Sequence, residues 1–294
     1  MTKAPLSATE TAYPKKKREI QNDMMDSTRW NELDWRAGDV VIATWSKAGT
    51  TWLQQIVAQL IFDGRDVEVN ELSPWLEFTM FDKGEVLGGL KAQTNRRFIK
   101  THLPVDALGL RQDVKYIYIA RDGRDCAISM HTFLAGFGNG PGSPQINPDI
   151  LAFFRDWLEQ DDVMTPFFPN VRGWWNARHL PNVLLMHYNN LKADMAGEIR
   201  RVADFLDIVP SAAAWPKIIE HCSFDYMKSK AENIGPRGAR MLKGGSSAFF
   251  HKGTIDRWKQ VLTPEDVTRY ESAVARELTS ECAHWLRTGE LPME

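Results

Sequence analysis

A chain of 294 residues, 43% hydrophobic and 25% charged with a formal net charge of −2, has the composition of a globular protein holding one large α/β domain or two small ones. That charge balance offers no global basic field for nucleic acid, and no apolar run approaches the ~20 residues of a membrane span. Three scattered cysteines, Cys126, Cys222 and Cys282, form no disulfide framework or metal spacing, which together with the lack of a signal-peptide core predicts a reducing, cytoplasmic setting.

In chain order, residues 1–27 read as a flexible segment whose Lys15-Lys16-Lys17-Arg18 run is solvated. Val40–Ala43 (VVIA) is a short buried strand of the kind found in parallel sheets. Apolar positions at helical spacing follow from Trp52 through Leu53, Ile56, Val57, Leu60 and Ile61. Glu71–Phe81 reads as a short aromatic-rich helix beginning near Ser73-Pro74. Arg97–Lys100 and Lys115–Ala120 are further strands, the latter followed by a helix from about Cys126. The Gly- and Pro-rich stretch from Gly136 to Pro148 is loop. Helices are expected over Asp149–Gln160 and around Trp174, then a fourth strand at Val183–Met186 and helices over Leu191–Leu206 and Pro216–Lys230. Ala231–Ser247 reads as a loop, and a last helix runs from Pro264 to Leu286 with Thr263 as its cap. No internal repeat or linker divides the chain. Strands alternating with helices predict an α/β fold with a central parallel β-sheet and helices on both faces, and its ligand site lies at the carboxyl ends of the strands. The residues just beyond those ends are Lys47, Thr50 and Thr51; Thr101 and His102; Arg121; and Tyr188.

The first strand and helix are joined by Ser46-Lys47-Ala48-Gly49-Thr50-Thr51. A strand, a small-residue turn with one lysine, and a helix N-terminus make an anion cradle, because the first helical N–H groups have no partner within the helix. Gly49 lets backbone approach the anion, Lys47 brings full charge, and the threonines bring hydroxyl donors. The standard G-x-x-x-x-G-K-[ST] loop is absent, since Lys47 precedes Gly49 by two positions. The same residues would also serve as a plain helix-capping turn.

Four stretches, TWSKAGTTWLQQI, FIKTHLP, YIYIARDGRDCAISMHTF and FFHKGTIDRWK, resemble in order and spacing the motifs of the cytosolic-type sulfotransferases, over about Val40 to Lys259. The resemblance is to a bacterial-like member with a P-loop-like three-layer fold in a single domain over 28–294. It implies transfer of a sulfonate group from 3′-phosphoadenosine 5′-phosphosulfate (PAPS) to a hydroxyl or amine, leaving 3′-phosphoadenosine 5′-phosphate (PAP), with no metal required. By this resemblance Lys47 and the Ala48, Gly49, Thr50 and Thr51 backbone hold the phosphosulfate, and Trp52 stacks on adenine. Tyr188 and Phe224 flank the adenine, and Arg121, Ser129, His251, Lys252 and Gly253 bind the 3′-phosphate. His102 is the general base, with Lys100 beside it on one strand face and Lys47 at the leaving group. Trp75, Phe78, Met80, Phe81, Phe133, Phe137, Phe249 and Phe250 line the pocket for a hydrophobic alcohol or phenol. Departures from the family pattern are Ser46 for proline, Cys222 for threonine, His251 for arginine, and Asp256-Arg257 for Gly-Asp. The altered C-terminal dimer signature leaves monomer and weak homodimer open. The alternatives are a P-loop kinase or NTPase, for which Asp122 would hold Mg²⁺, and a catalytically weak PAP-binding homologue.

Overall fold

Four parallel strands carry the molecule: β1 (Val40–Ala43), β2 (Phe98–Thr101), β3 (Lys115–Ala120) and β4 (Val183–His187), in the order β2-β1-β3-β4. The computed structural model describes residues 12–138, 144–160 and 164–292. Every β1 residue is buried, which is why the run is apolar on both faces rather than alternating. Val41, Ala43, Tyr116, Tyr118 and Leu185 pack into one apolar cluster, while Val40, Ile42, Ile117, Ile119 and Met186 pack into another on the opposite face.

Helix α1 (Thr50–Ile61) covers the second face, with Leu53, Ile56, Val57 and Leu60 packed against Ile42 and Ile117. The first face is covered by the helices Gly123–Ala135 and Phe167–Asn176, where the Trp174 and Tyr118 rings stack at 5.3 Å. The chain leaves β1 toward β2 and later returns to β3 on its other side. The crevice at the carboxyl ends of β1 and β3 is therefore the switch point at which such sheets bind ligands.

Several expected elements differ. Glu71–Phe81 is not a helix; only Val69–Leu72 is helical. Ser73 precedes a proline, which disfavours the helical region, and takes φ −124° and ψ 71°. The chain beyond it lies along the edge of β2, where the Pro74 carbonyl accepts from the Lys100 N–H at 3.1 Å and Trp75 bridges to Lys100. The expected terminal helix is two, Pro264–Glu277 and Ser280–Thr288, because Leu278 is extended and the Thr279 hydroxyl caps a second start. Asp194 likewise splits Leu191–Leu206 by capping Met195–Phe205, and Ser223 splits Pro216–Lys230 by capping Phe224–Ser229. The Ala231–Ser247 loop contains the short turns Ala231–Ile234 and Arg237–Met241. Thr263 caps its helix through a reciprocal capping box with Asp266.

Of the segment expected to be flexible, residues 1–11 lie outside the described residues. Over 12–27, Met25 and Ile20 are buried in the first apolar cluster, and Arg18 bonds Asp106 across 88 positions. Of the Gly136–Pro148 loop, 139–143 also lie outside the described residues. Among the described residues, no helix is long and apolar enough to cross a membrane.

The amino ends of β1 and β2 are clamped by a buried ion pair. Arg97 Nε donates to Asp39 Oδ1 at 2.9 Å, and its Nη2 donates both to Asp39 Oδ2 and, at 2.8 Å, to the Asp34 carbonyl. Removing one partner strands the other charge in the interior. Asp39→Ala is therefore expected to lower unfolding stability by about 3–5 kcal/mol, read as a fall in the urea midpoint.

Candidate functional site

The cradle is built from the loop between β1 and α1. Trp45 is buried, donates its indole N–H to the Thr165 carbonyl at 2.8 Å, and so fixes the loop's outgoing direction. Lys47 then takes φ +67° and Gly49 φ +116°. A left-handed lysine stores strain of about 1–3 kcal/mol, held here by its surroundings. A Cβ on Gly49 would stand 3.0 Å from both Ile119 Cδ1 and Tyr188 Cδ2, so only glycine lets α1 begin this close to the sheet. Gly49 gives α1 no side-chain cap, and the first N–H groups of α1 are left for a ligand.

One cavity of about 1110 Å³ spans the carboxyl ends of the strands. Every residue expected to bind nucleotide, catalyse or contact acceptor lines it, with the exception of Ala48. The Ala48 side chain is buried in the first apolar cluster, so only its backbone remains to face a ligand.

At the centre lie Lys47, Lys100 and His102. The Lys47 ammonium sits 4.1 Å from the Phe133 ring centroid and 4.2 Å from that of Phe249. Lys100 Nζ is 4.7 Å from the Trp75 ring. Aromatic faces hold a cation without neutralising it. Burial, and then the charges of Lys100 and Arg121, push Lys47 down to about 7. Burial pushes Lys100 down to about 8 against a raising effect of Glu77. His102 is 3% exposed, and its Nδ1 lies 2.8 Å from the Thr44 carbonyl. A carbonyl only accepts, so Nδ1 carries the proton and Nε2 keeps its lone pair. Nε2 has no hydrogen-bond partner among the described residues. Burial, and then Lys100, hold the imidazole well below its usual range, leaving it neutral at pH 7.

Glu77 and Asn170 support this histidine, and no sequence motif pointed to either. Glu77 is fully buried and accepts from the His102 N–H at 2.7 Å, the Thr101 hydroxyl at 2.9 Å and the Trp30 indole at 2.8 Å. Asn170 donates to the His102 carbonyl at 3.1 Å. The signal for Glu77 was a charged residue within the aromatic run ELSPWLEFTMF.

Around the cradle, Trp52 donates its indole N–H to the Cys222 carbonyl at 2.8 Å and meets Tyr188 edge-on at 5.6 Å. Gly253, at φ +61°, lies so near Phe224 that a Cβ would come within 2.8 Å of its ring. These residues line one side of the cavity and form its aromatic slot. The Cys222 side chain is buried in the second apolar cluster. Arg121 lies 4.5 Å from the Tyr188 ring, donates to the Thr254 carbonyl at 2.8 Å and pairs with Asp125 at 3.1 Å. Its Nε is buried with no partner among the described residues, as a donor awaiting an anion would be. Ser129 comes back from the helix Gly123–Ala135 to the same cavity. Lys252 and His251 are exposed at its rim. Asp122, a Mg²⁺ ligand in the kinase alternative, instead caps that helix and is held by Arg124 at 2.6 Å.

On the acceptor side, Trp75 and Phe78 stack at 4.3 Å, Trp75 meets His102 edge-on at 4.8 Å, and Phe81 lies against Phe78 at 5.3 Å. Phe133 packs edge-on against Phe137 at 5.2 Å and Phe249 at 5.8 Å. Phe250 is 7% exposed and is chiefly core, whereas Met80 is 68% exposed at the mouth. Such a chamber can hold a flat ring in its slot, anions at the cradle and at Arg121, and an apolar hydroxyl compound facing a neutral imidazole.

Sulfate, a dianion across this pH range, is expected to bind most tightly at pH 6.5, where both lysines are ammonium, and to weaken as pH rises through about 7 and 8. A loss of at least about tenfold by pH 9, read by calorimetry and flattened in Lys47→Met, is the expected outcome.

The model of the sulfotransferase domain matches residues 37–281. A glycolipid sulfotransferase of Mycobacterium bovis is 33% identical over 303 residues, covering 90% of this chain and 93% of that relative. Sulfotransferase 1B1 of Mus musculus is 30% identical over 266 residues, covering 85% of this chain and 86% of the mouse protein. Among solved structures, mouse sulfotransferase SULT7A1 complexed with PAP superposes with a TM-score of 0.72 at 25% identity, covering 87% of this chain and 90% of that one.

Proposed function

The chain belongs to the sulfotransferase domain family and is a PAPS-dependent sulfotransferase, and on that premise we propose that His102, Lys47 and Lys100 carry out sulfonate transfer to a hydrophobic alcohol or phenol. The observation that carries the reading is the His102 tautomer, fixed by the Thr44 carbonyl, in a cavity shared with two half-buried lysines.

Bound PAPS supplies the sulfonate and a phosphate leaving group. Nε2 of His102 takes the acceptor hydroxyl proton as the oxygen–sulfur bond forms. The Lys47 ammonium and the N–H groups opening α1 stabilise the charge that collects on the phosphate oxygen as the old sulfur–oxygen bond breaks. Lys100 offsets charge on the non-bridging sulfonate oxygens. We assign this charge work to side chains, with no metal ion. An imidazole depressed by burial, and then by Lys100, is a weak base in the empty site. An anionic sulfonate between the two lysines offsets the part due to their charge and raises its basicity when substrate is present.

Trp52, Tyr188 and Phe224 form the adenine slot, and Arg121 with Ser129 takes the 3′-phosphate. Trp75, Phe78 and Phe81 wall the acceptor. Apolar rings surrounding one polar catalytic group suit an amphipathic alcohol more than a sugar with many hydroxyls. The name of the mycobacterial relative, a glycolipid sulfotransferase, is in keeping with a large apolar body.

With labelled sulfonate donor and a panel of phenols and lipid alcohols, His102→Ala is expected to lower turnover by about 10²–10⁴ while leaving PAP affinity near that of the parent protein. Unchanged turnover would remove His102 from the reaction. Calorimetry with PAP against ATP tests the donor class, and tighter binding of ATP would overturn it.

A further inference from the structure

Arg257 lines the nucleotide half of the cavity at a position where the family pattern has aspartate. Arg257 opens the turn Arg257–Gln260, behind Asp256 at φ +62°. That left-handed residue is held in place from outside its own segment. The Asp256 N–H donates to Asp125 Oδ2 at 2.9 Å, and the Trp258 N–H donates to Asp125 Oδ1 at 3.3 Å. The same carboxylate holds Arg121 at 3.1 Å, so one anchor sets both arginines side by side.

The Arg257 side chain is half-buried and lines a niche with Lys47, Ser129, Thr132 and His251. It has no carboxylate within 4.0 Å among the described residues, and its one hydrogen bond there is a long 3.5 Å contact to the Thr132 hydroxyl. Asp256 is taken by Lys259 at 2.8 Å. A fixed guanidinium without a counter-ion, next to an arginine with an orphaned Nε, is an incomplete arrangement that a doubly charged oxyanion would complete. Burial, and then Arg121, push the Arg257 guanidinium down against a raising effect of Asp125.

We propose that Arg257 is a direct ligand of the nucleotide's 3′-phosphate, sharing that group with Arg121 and Ser129. The assignment rests on the PAPS reading above. The exposed His251 stands where the family pattern has arginine, and Arg257 brings a guanidinium to the same niche from six residues further on. A planar fork is the side-chain shape that grips two phosphate oxygens at once.

The experiment is calorimetric titration of the full-length parent protein, Arg257→Ala, and Arg257→Ala combined with His251→Arg, each with PAP and with adenosine 5′-phosphate, which lacks the 3′-phosphate. Arg257→Ala is expected to weaken PAP by about 10- to 100-fold while adenosine 5′-phosphate binds as to the parent protein. The unchanged second nucleotide also shows that the variant is folded. Restoring an arginine at 251 is expected to recover at least tenfold of the loss. Equal weakening of both nucleotides, or no weakening of PAP, would overturn Arg257 as a ligand while leaving the donor reading intact. A parent protein that binds both nucleotides alike would overturn both.

Discussion

The chemistry of this site depends on one hydrogen bond, from His102 Nδ1 to the Thr44 carbonyl. Thr44 directly follows β1 and His102 directly follows β2, so the bond ties the carboxyl ends of two paired strands. It fixes the ring's tautomer, and it fixes the distance between the imidazole and the lysine loop that begins two residues after Thr44. The sheet register below it (Ala43 opposite Thr101) leaves no freedom to slip, because a one-residue shift would turn His102 to the other face. Glu77 completes the arrangement from the far side by accepting the His102 N–H.

The cost of the arrangement is electrostatic. Lys47, Lys100, Arg121 and Arg257 converge on one cavity, and Asp125 is the carboxylate that pairs with any of them within 4.0 Å among the described residues. Aromatic faces partly offset this for Lys47, Lys100 and Arg121. Such mutual repulsion destabilises the empty protein and is relieved by an anionic ligand, so the same charges that weaken the fold supply the binding. Away from the cavity, the buried Arg97 is paired with Asp39.

Much of this was legible in the sequence for physical reasons. β1 and β3 announced themselves because strands buried on both faces must be continuously apolar, and Lys47, Gly49 and Arg121 followed from the end of a strand and the start of a helix. Glu71–Phe81 misled because its aromatic spacing mimics a helix, while its backbone bonds are satisfied by the edge of β2, a partner no local pattern encodes. Glu77 was hidden for the same reason. The breaks at Asp194, Ser223 and Thr279 were present as capping residues inside otherwise periodic runs, and periodicity outweighed them. Arg257 could be seen as a departure but not placed, since its direction is set by Asp125 across 131 positions from Asp256.

That long reach has a bearing on how the protein comes into being. Asp125 joins Arg121, early in the chain, to the Asp256–Trp258 backbone near its end. In chain order the sheet and the lysine loop precede the Asp256–Trp258 segment, so during synthesis Asp125 has Arg121 to itself until that segment emerges. On the proposed assignment of Arg257, an intact grip on the 3′-phosphate then reports that these two distant stretches have come together.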